Sequence, residues 1–154
     1  MQQVTHLLEK LREQNLKLVT AESCTGGLIA TSITEVAGSS DVFERGFITY
    51  SNQSKIELLG VSPETLEELG AVSAQTATEM ALGAIKNSSA NVAISVTGIA
   101  GPTGGSAEKP VGLVYIGIYH QNKVRVYKHN FSGSRCDVRK ESAERAINYL
   151  LGLL

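Results

Sequence analysis

Lys17-Leu-Val-Thr-Ala-Glu-Ser-Cys-Thr-Gly-Gly27 is the stretch on which the fold turns. It opens as a short β-type run and closes in small polar residues and paired glycines. Just beyond it, Leu28-Ile29-Ala30-Thr31-Ser32-Ile33 places its apolar residues where a buried helix needs them. A strand feeding a glycine turn and then a helix leaves the first N–H groups of that helix free to meet an anion. The turn also carries two adjacent candidate nucleophiles, Ser23 and Cys24.

Working outward, Val4, Leu7, Leu8 and Leu11 predict an amphipathic helix over residues 2–14. Leu16 to Ala21 reads as a core strand, with Glu22 and Ser23 at its C-terminal end. The next helix is expected from about Thr25 to Val36, stopping at Gly38. Val42 to Tyr50 is rich in β-branched and aromatic residues and predicts a second strand. Ser51 is a favoured N-cap for a helix over 52–59, closed by Gly60. Ser62-Pro63 opens a short helix to Leu69, and Ser73 caps a longer one over 74–86. Asn91 to Thr97 is a nearly continuous apolar strand of the buried kind.

Gly98 to Gly112 has no periodicity, and a loop of that length in a compact domain is functional or disordered. Residues 113–120 and 124–131 flank the polar turn Gln121-Asn122-Lys123 as a hairpin, and a final helix is expected over 135–151. Alternating strands and helices with one hairpin define an α/β protein. The expected architecture is a three-layer α/β/α sandwich on a mixed, largely parallel sheet, as a single domain over residues 1–154.

Composition narrows the function. The formal net charge is -1 with no long charge run, aromatic residues make up 5% and Trp is absent. Neither an electrostatic face for nucleic acid nor a base-stacking platform is expected from that. No apolar run suits a membrane span, and Met1-Gln-Gln-Val-Thr-His lacks the apolar core of a signal peptide, so a cytoplasmic location is expected. Cys24 and Cys136 do not suggest a disulfide framework. His6, His120 and His129 are scattered without ligand spacing, so no metal is expected.

In open α/β sheets ligands bind beyond the carboxyl ends of the strands. Here those ends are Glu22-Ser23-Cys24-Thr25, Tyr50-Ser51 and Thr97-Gly98. Ser23 reads equally as a helix cap or as a nucleophile. Lys55 reads as a solvated surface lysine or, in the first turn of its helix where a protonated amine is disfavoured, as a general base. Tyr50, at the preceding strand end, is either a packed aromatic or a relay between Ser23 and Lys55. Cys24 has no histidine at a strand end to partner it, which makes cysteine catalysis the weaker case. The Gly98–Gly105 segment lacks the Gly-Lys-Ser/Thr of a P-loop but could present backbone N–H groups to a phosphate or an oxyanion.

Several motifs occur together: Thr20-Ala-Glu-Ser-Cys-Thr-Gly-Gly27, Gly46-Phe-Ile-Thr-Tyr-Ser-Asn52 with Lys55, Gly70-Ala-Val-Ser73, Thr97-Gly-Ile-Ala-Gly-Pro102 with Gly104-Gly105, and Lys109-Pro-Val-Gly112. In this order the chain resembles the nicotinamide-nucleotide amidase family, the stand-alone form of the CinA C-terminal domain. Two positions depart from the family pattern: Thr103 where Asp is frequent, and Gly133-Ser134-Arg135 followed by Cys136 where Gly-Asp-Arg is common.

The resemblance implies a cofactor-free hydrolase that converts nicotinamide mononucleotide to nicotinate mononucleotide and ammonia in bacterial NAD recycling. It implies Ser23 as nucleophile, Lys55 as base and Tyr50 as accessory. Substrate contacts are implied at Cys24, Thr25, Gly26, Gly27 and along Thr97, Gly98, Gly101, Gly104 and Gly105. Arg45, Arg135 and Arg139 are candidate phosphate partners, because guanidinium binds phosphate bidentately. A homodimer or higher oligomer is the family expectation. A non-catalytic nucleotide-binding module would keep the glycine loops without needing Ser23 and Lys55 together, and a related enzyme could turn the same pair on another small amide.

Overall fold

The computed structural model describes all residues from Met1 to Leu154. Its helices are α1 (Gln2–Glu13), α2 (Leu28–Thr34), α3 (Asn52–Leu59), α4 (Pro63–Leu69), α5 (Ala74–Lys86) and α6 (Arg135–Leu153). Its strands are β1 (Leu18–Glu22), β2 (Phe43–Ile48), β3 (Val92–Gly98), β4 (Leu113–His120) and β5 (Lys123–Asn130). They form one sheet in the order β2-β1-β3-β4-β5. β1 pairs in parallel with both β2 and β3, and β4 runs antiparallel to β3 and to β5. Only β4 is reversed, so the expected mixed and largely parallel sheet is what forms.

Alternation along the strands divides the core. Leu18, Ile94, Val96, Ile116 and Ile118 face a layer made by α1, α2 and α6, where Leu7, Leu11, Ile29, Ile33, Val138 and Leu150 are buried. Val19, Ala21 and Ala93 face the other way, toward Leu59, Leu66, Met80, Ala81 and Ala84 of α3, α4 and α5. The second layer is rich in alanine, which lets its helices lie close. At Gly83 of α5 an added Cβ would run into the Leu59 carbonyl, 2.7 Å from its carbon and 2.9 Å from Leu59 Cα.

Capping follows the sequence signals. Ser51, Ser62 and Ser73 each accept from the backbone N–H three residues on. Ser134 and Asp137 form a capping box that opens α6. The hairpin turn comprises Gln121 and Asn122, with φ of 52° and 60°, the conformation that matches strand twist in a two-residue loop.

One boundary moves in a way that matters. The helix expected from Thr25 begins only at Leu28. Gly26 and Gly27 have φ of 59° and 100°, left-handed values that a right-handed helix cannot contain. The Gly26 N–H donates to Ser23 O and the Leu28 N–H to Thr25 O, so Ser23–Gly27 is a compact turn between strand and helix.

Candidate functional site

The turn is pinned at its root. The Ser23 N–H donates to Val96 O of β3, and Glu22 O accepts from the Thr49 N–H just after β2. Ser23 therefore sits just past the C-terminal end of β1, held by both neighbouring strands. Its side chain is nearly buried, and its Oγ lies 2.8 Å from Lys55 Nζ.

Lys55 is 1% exposed, among the largest fully buried side chains of the protein. Ser51 caps α3 and so starts it at Asn52, which aims the Lys55 side chain back toward the end of β1. The amine donates to Ser23 Oγ, to Thr49 O at 2.8 Å and to Tyr50 O at 3.3 Å. None of these acceptors is a carboxylate, and no salt bridge includes Lys55. Burial without a counter-ion lowers its pKa from the ordinary 10.5 to about 8, opposed only by the neighbouring Cys24. Burial acts oppositely on the Cys24 thiol, pushing it up to about 11. Cys24 is thus a thiol at neutral pH, beside a serine that touches an amine disposed to lose its proton.

Around this pair lies a cavity of about 250 Å³. One wall carries Ser23, Cys24, Tyr50 and Lys55. The opposite wall is Thr97, Gly98 and the following loop through Ala100, Gly101, Thr103 and Gly104. Ala71 and Val72, from the link between α4 and α5, close a third side, and Arg135 stands at the mouth. Thr97 Oγ1 donates to Ala71 O at 2.7 Å, tying two of these walls together. A cavity of about 300 Å³ between α1, α2 and α6 is lined by Ser32, Glu35, Glu144 and others, but holds no comparable pair of reactive groups.

Of the residues singled out in the sequence, Ser23, Cys24, Tyr50, Lys55, Thr97, Gly98, Gly101, Gly104 and Arg135 converge on this cavity. The structure places the rest elsewhere, and it also alters the position expected for Tyr50. Tyr50 does not stand between serine and lysine, which touch directly. Its carbonyl meets Lys55, while its half-exposed ring carries the hydroxyl outward to accept from Arg135 Nη2 at 2.9 Å. Arg135 Nη1 also donates to Gly101 O, bridging the two rims of the mouth.

Arg45 lies near the start of β2, at the other end of the sheet, where it holds Glu44 and the Asn87 carbonyl. Arg139 reaches the turn from behind, donating to Cys24 O at 3.1 Å and Thr25 O at 3.0 Å, so it clamps the turn and lies outside the cavity lining. Thr25 is buried beneath the turn, Gly26 and Gly27 shape it, and Gly105 packs against Val111 on the far limb of the loop. None of these four lines the cavity.

The helix end differs from expectation as well. The N–H groups of Ile29 and Ala30 donate to the two carboxylate oxygens of Glu22, at 2.9 and 3.0 Å. The start of α2 is therefore already occupied by an anion from the chain itself. The N–H groups of Cys24 and Thr25, in contrast, make no hydrogen bond within the chain.

Sequence reasoning passed over Ala71 and Val72 as cavity lining, since small apolar residues carry no chemical signature of a site. Glu22 did leave a signal, a lone carboxylate closing an otherwise uncharged strand.

A serine–lysine pair at the strand ends of a three-layer α/β/α domain defines the class of site. The family model of the CinA C-terminal domain matches residues 2–154, and the chain belongs to that family. It is 56% identical to the nicotinamide-nucleotide amidohydrolase PncC of Enterobacter agglomerans, over 86% of this chain and 82% of that protein. It is 51% identical to a CinA-like protein of Kosmotoga olearia, over 91% of this chain but 34% of that protein. The chain spans about a third of the length of the CinA-like relatives it matches. The crystal structure of the competence/damage inducible protein CihA from Agrobacterium tumefaciens superposes with a TM-score of 0.96 at 47% identity, covering 99% of this chain and 93% of that one. No helix is long and apolar enough to cross a membrane.

Proposed function

We propose that this protein is an amidohydrolase that converts nicotinamide mononucleotide to nicotinate mononucleotide and ammonia, with Ser23 as nucleophile and Lys55 as base. The observation that carries the proposal is the buried Lys55 amine, without a carboxylate partner, 2.8 Å from Ser23 Oγ. A module that only bound a nucleotide would have no use for an amine held at that cost. The amidohydrolase name of the Enterobacter agglomerans relative supports the choice of substrate.

The chemistry follows from the contacts. Neutral Lys55 takes the Ser23 proton as Oγ attacks the carboxamide carbon. The oxyanion that forms is met by the backbone N–H of Cys24, an uncommitted donor that lines the cavity, rather than by the helix start that Glu22 fills. The C–N bond breaks as Lys55 returns the proton to the leaving nitrogen, releasing ammonia and leaving an acyl ester on Ser23. Water, deprotonated by the same amine, then cleaves the ester and restores the serine. In this reading Arg135, which lines the cavity at its mouth, pairs with the phosphate of a substrate whose ring enters the cavity.

The test is ammonia release from nicotinamide mononucleotide by wild type and by Ser23→Ala, Lys55→Ala and Cys24→Ala. Wild type and C24A are expected to turn over, while S23A and K55A lose at least about a thousandfold in kcat. Absence of turnover by pure wild-type protein would overturn the substrate. Full activity in S23A would overturn the mechanism alone.

A further inference from the structure

We propose that Glu22 is the positioning residue of the nucleophile turn, its carboxylate holding the start of α2 so that Ser23 presents its hydroxyl to Lys55. The inference rests on Ser23 being the nucleophile. Glu22 is fully buried, yet no cation pairs with it. Its side-chain partners are two backbone donors, Ile29 N and Ala30 N. A carboxylate taken out of water is costly unless its lone pairs are satisfied, and the first N–H groups of a helix satisfy them.

The position of this contact gives it consequence. The backbone at Glu22 and Ser23 is fixed by Val96 O on one side and the Thr49 N–H on the other. From there the chain turns through two left-handed glycines before α2 begins, with the Gly26 N–H to Ser23 O and Leu28 N–H to Thr25 O bonds as its own backbone ties. The Glu22 side chain spans that turn and fastens its far end to its near end. Arg139 holds the Cys24 and Thr25 carbonyls from outside. With the carbonyls and the helix start both engaged, the Cys24 N–H remains as the donor that the turn offers a substrate oxygen in the cavity.

The near-isosteric Glu22→Gln variant tests this, because an amide can accept from one helix N–H but sets its own NH2 against the other. With nicotinamide mononucleotide, kcat is expected to fall about ten- to a hundredfold while KM stays within about twofold, the scale of a small misplacement of reacting groups. The acidic limb of the pH–rate profile, set by Lys55, is expected to stay in place. Glu22→Asp, which keeps the charge on a shorter stem, is expected to lie between wild type and E22Q. Unchanged kcat in E22Q, a loss of activity no larger than the loss of folded protein, or a displaced acidic limb would each overturn the proposal.

A second measurement separates it from the choice of substrate. A fluorophosphonate reacts with an activated serine by forming an Oγ–P bond and expelling fluoride, with the serine proton passing to the base. Labelling of Ser23 in wild type, slowed ten- to a hundredfold in E22Q, supports the positioning role even if nicotinamide mononucleotide is not turned over. Equal labelling rates in the two proteins, or no labelling of Ser23 in wild type, would overturn it.

Discussion

Replacing Lys55 by Met keeps a long unbranched side chain in the same slot and removes the titrating amine. Folding holds the amine near pH 8 where the unfolded chain has it at 10.5, a displacement equivalent to about 3 kcal/mol. Below pH 8 both states are charged and the folded protein bears that penalty in full. Between pH 8 and 10.5 the unfolded state binds more protons at this site, so wild-type stability climbs with pH across the window. The K55M variant lacks the penalty but leaves Ser23 Oγ, Thr49 O and Tyr50 O without their donor, a loss of about 1.5–4.5 kcal/mol in all that does not depend on pH there. Relative to wild type, K55M is therefore expected to lose about 2–3 kcal/mol of stability between pH 7 and pH 10.

Cys24 does not confuse the comparison. Its raised pKa removes stability as pH rises above its ordinary 9.0, but does so in both proteins. Urea unfolding at pH 7 and pH 10 reads the effect directly, and a thermal melt should show it as a change of roughly 5–10 °C in the gap between the two proteins. K55M should be inactive at both pH values. A stability gap that stays constant from pH 7 to pH 10 would refute a neutral-leaning buried lysine and with it the base assigned to the reaction.

Three further outcomes are expected. The kcat/KM for ammonia release should rise with pH through about 8 and level above it, because the deprotonated Lys55 is the active form; a profile flat between pH 6 and 9 would contradict this. Arg45→Ala should leave KM for nicotinamide mononucleotide unchanged, whereas Arg135→Ala should raise it about tenfold or more, measured in the same steady-state assay. Gly83→Ala should cost about 2–3 kcal/mol in urea unfolding, since its methyl group meets the Leu59 backbone, and the resulting shift of α3 should lower kcat through Lys55.

Most elements could be read from the sequence because local chemistry decides them. Serine caps fixed the starts of α3, α4 and α5, and a nearly continuous apolar run marked β3 as a buried strand. The Ser23–Lys55 contact was harder to read, since it depends on β1 and β2 lying side by side in parallel, a long-range property. The arginines illustrate the limit. A guanidinium announces its charge but not its direction, and Arg139 spends its donors on the back of the turn. Arg45 was readable in principle: a residue near the start of a parallel strand lies far from the carboxyl ends where ligands gather. The late start of α2 was hidden by Thr25, Gly26 and Gly27, whose left-handed glycines end the resemblance to a helix.

The hairpin turn has a practical use of its own. Gly98 of β3 faces Val114, while Ala93 faces Tyr119, so Gln121 and Asn122 leave the sheet at the end away from Ser23, about 17 Å along the strands. The turn is exposed on an edge hairpin and contributes nothing to the cavity. A short epitope or a fluorophore spliced there would report on the protein in a cell without standing in the substrate's path.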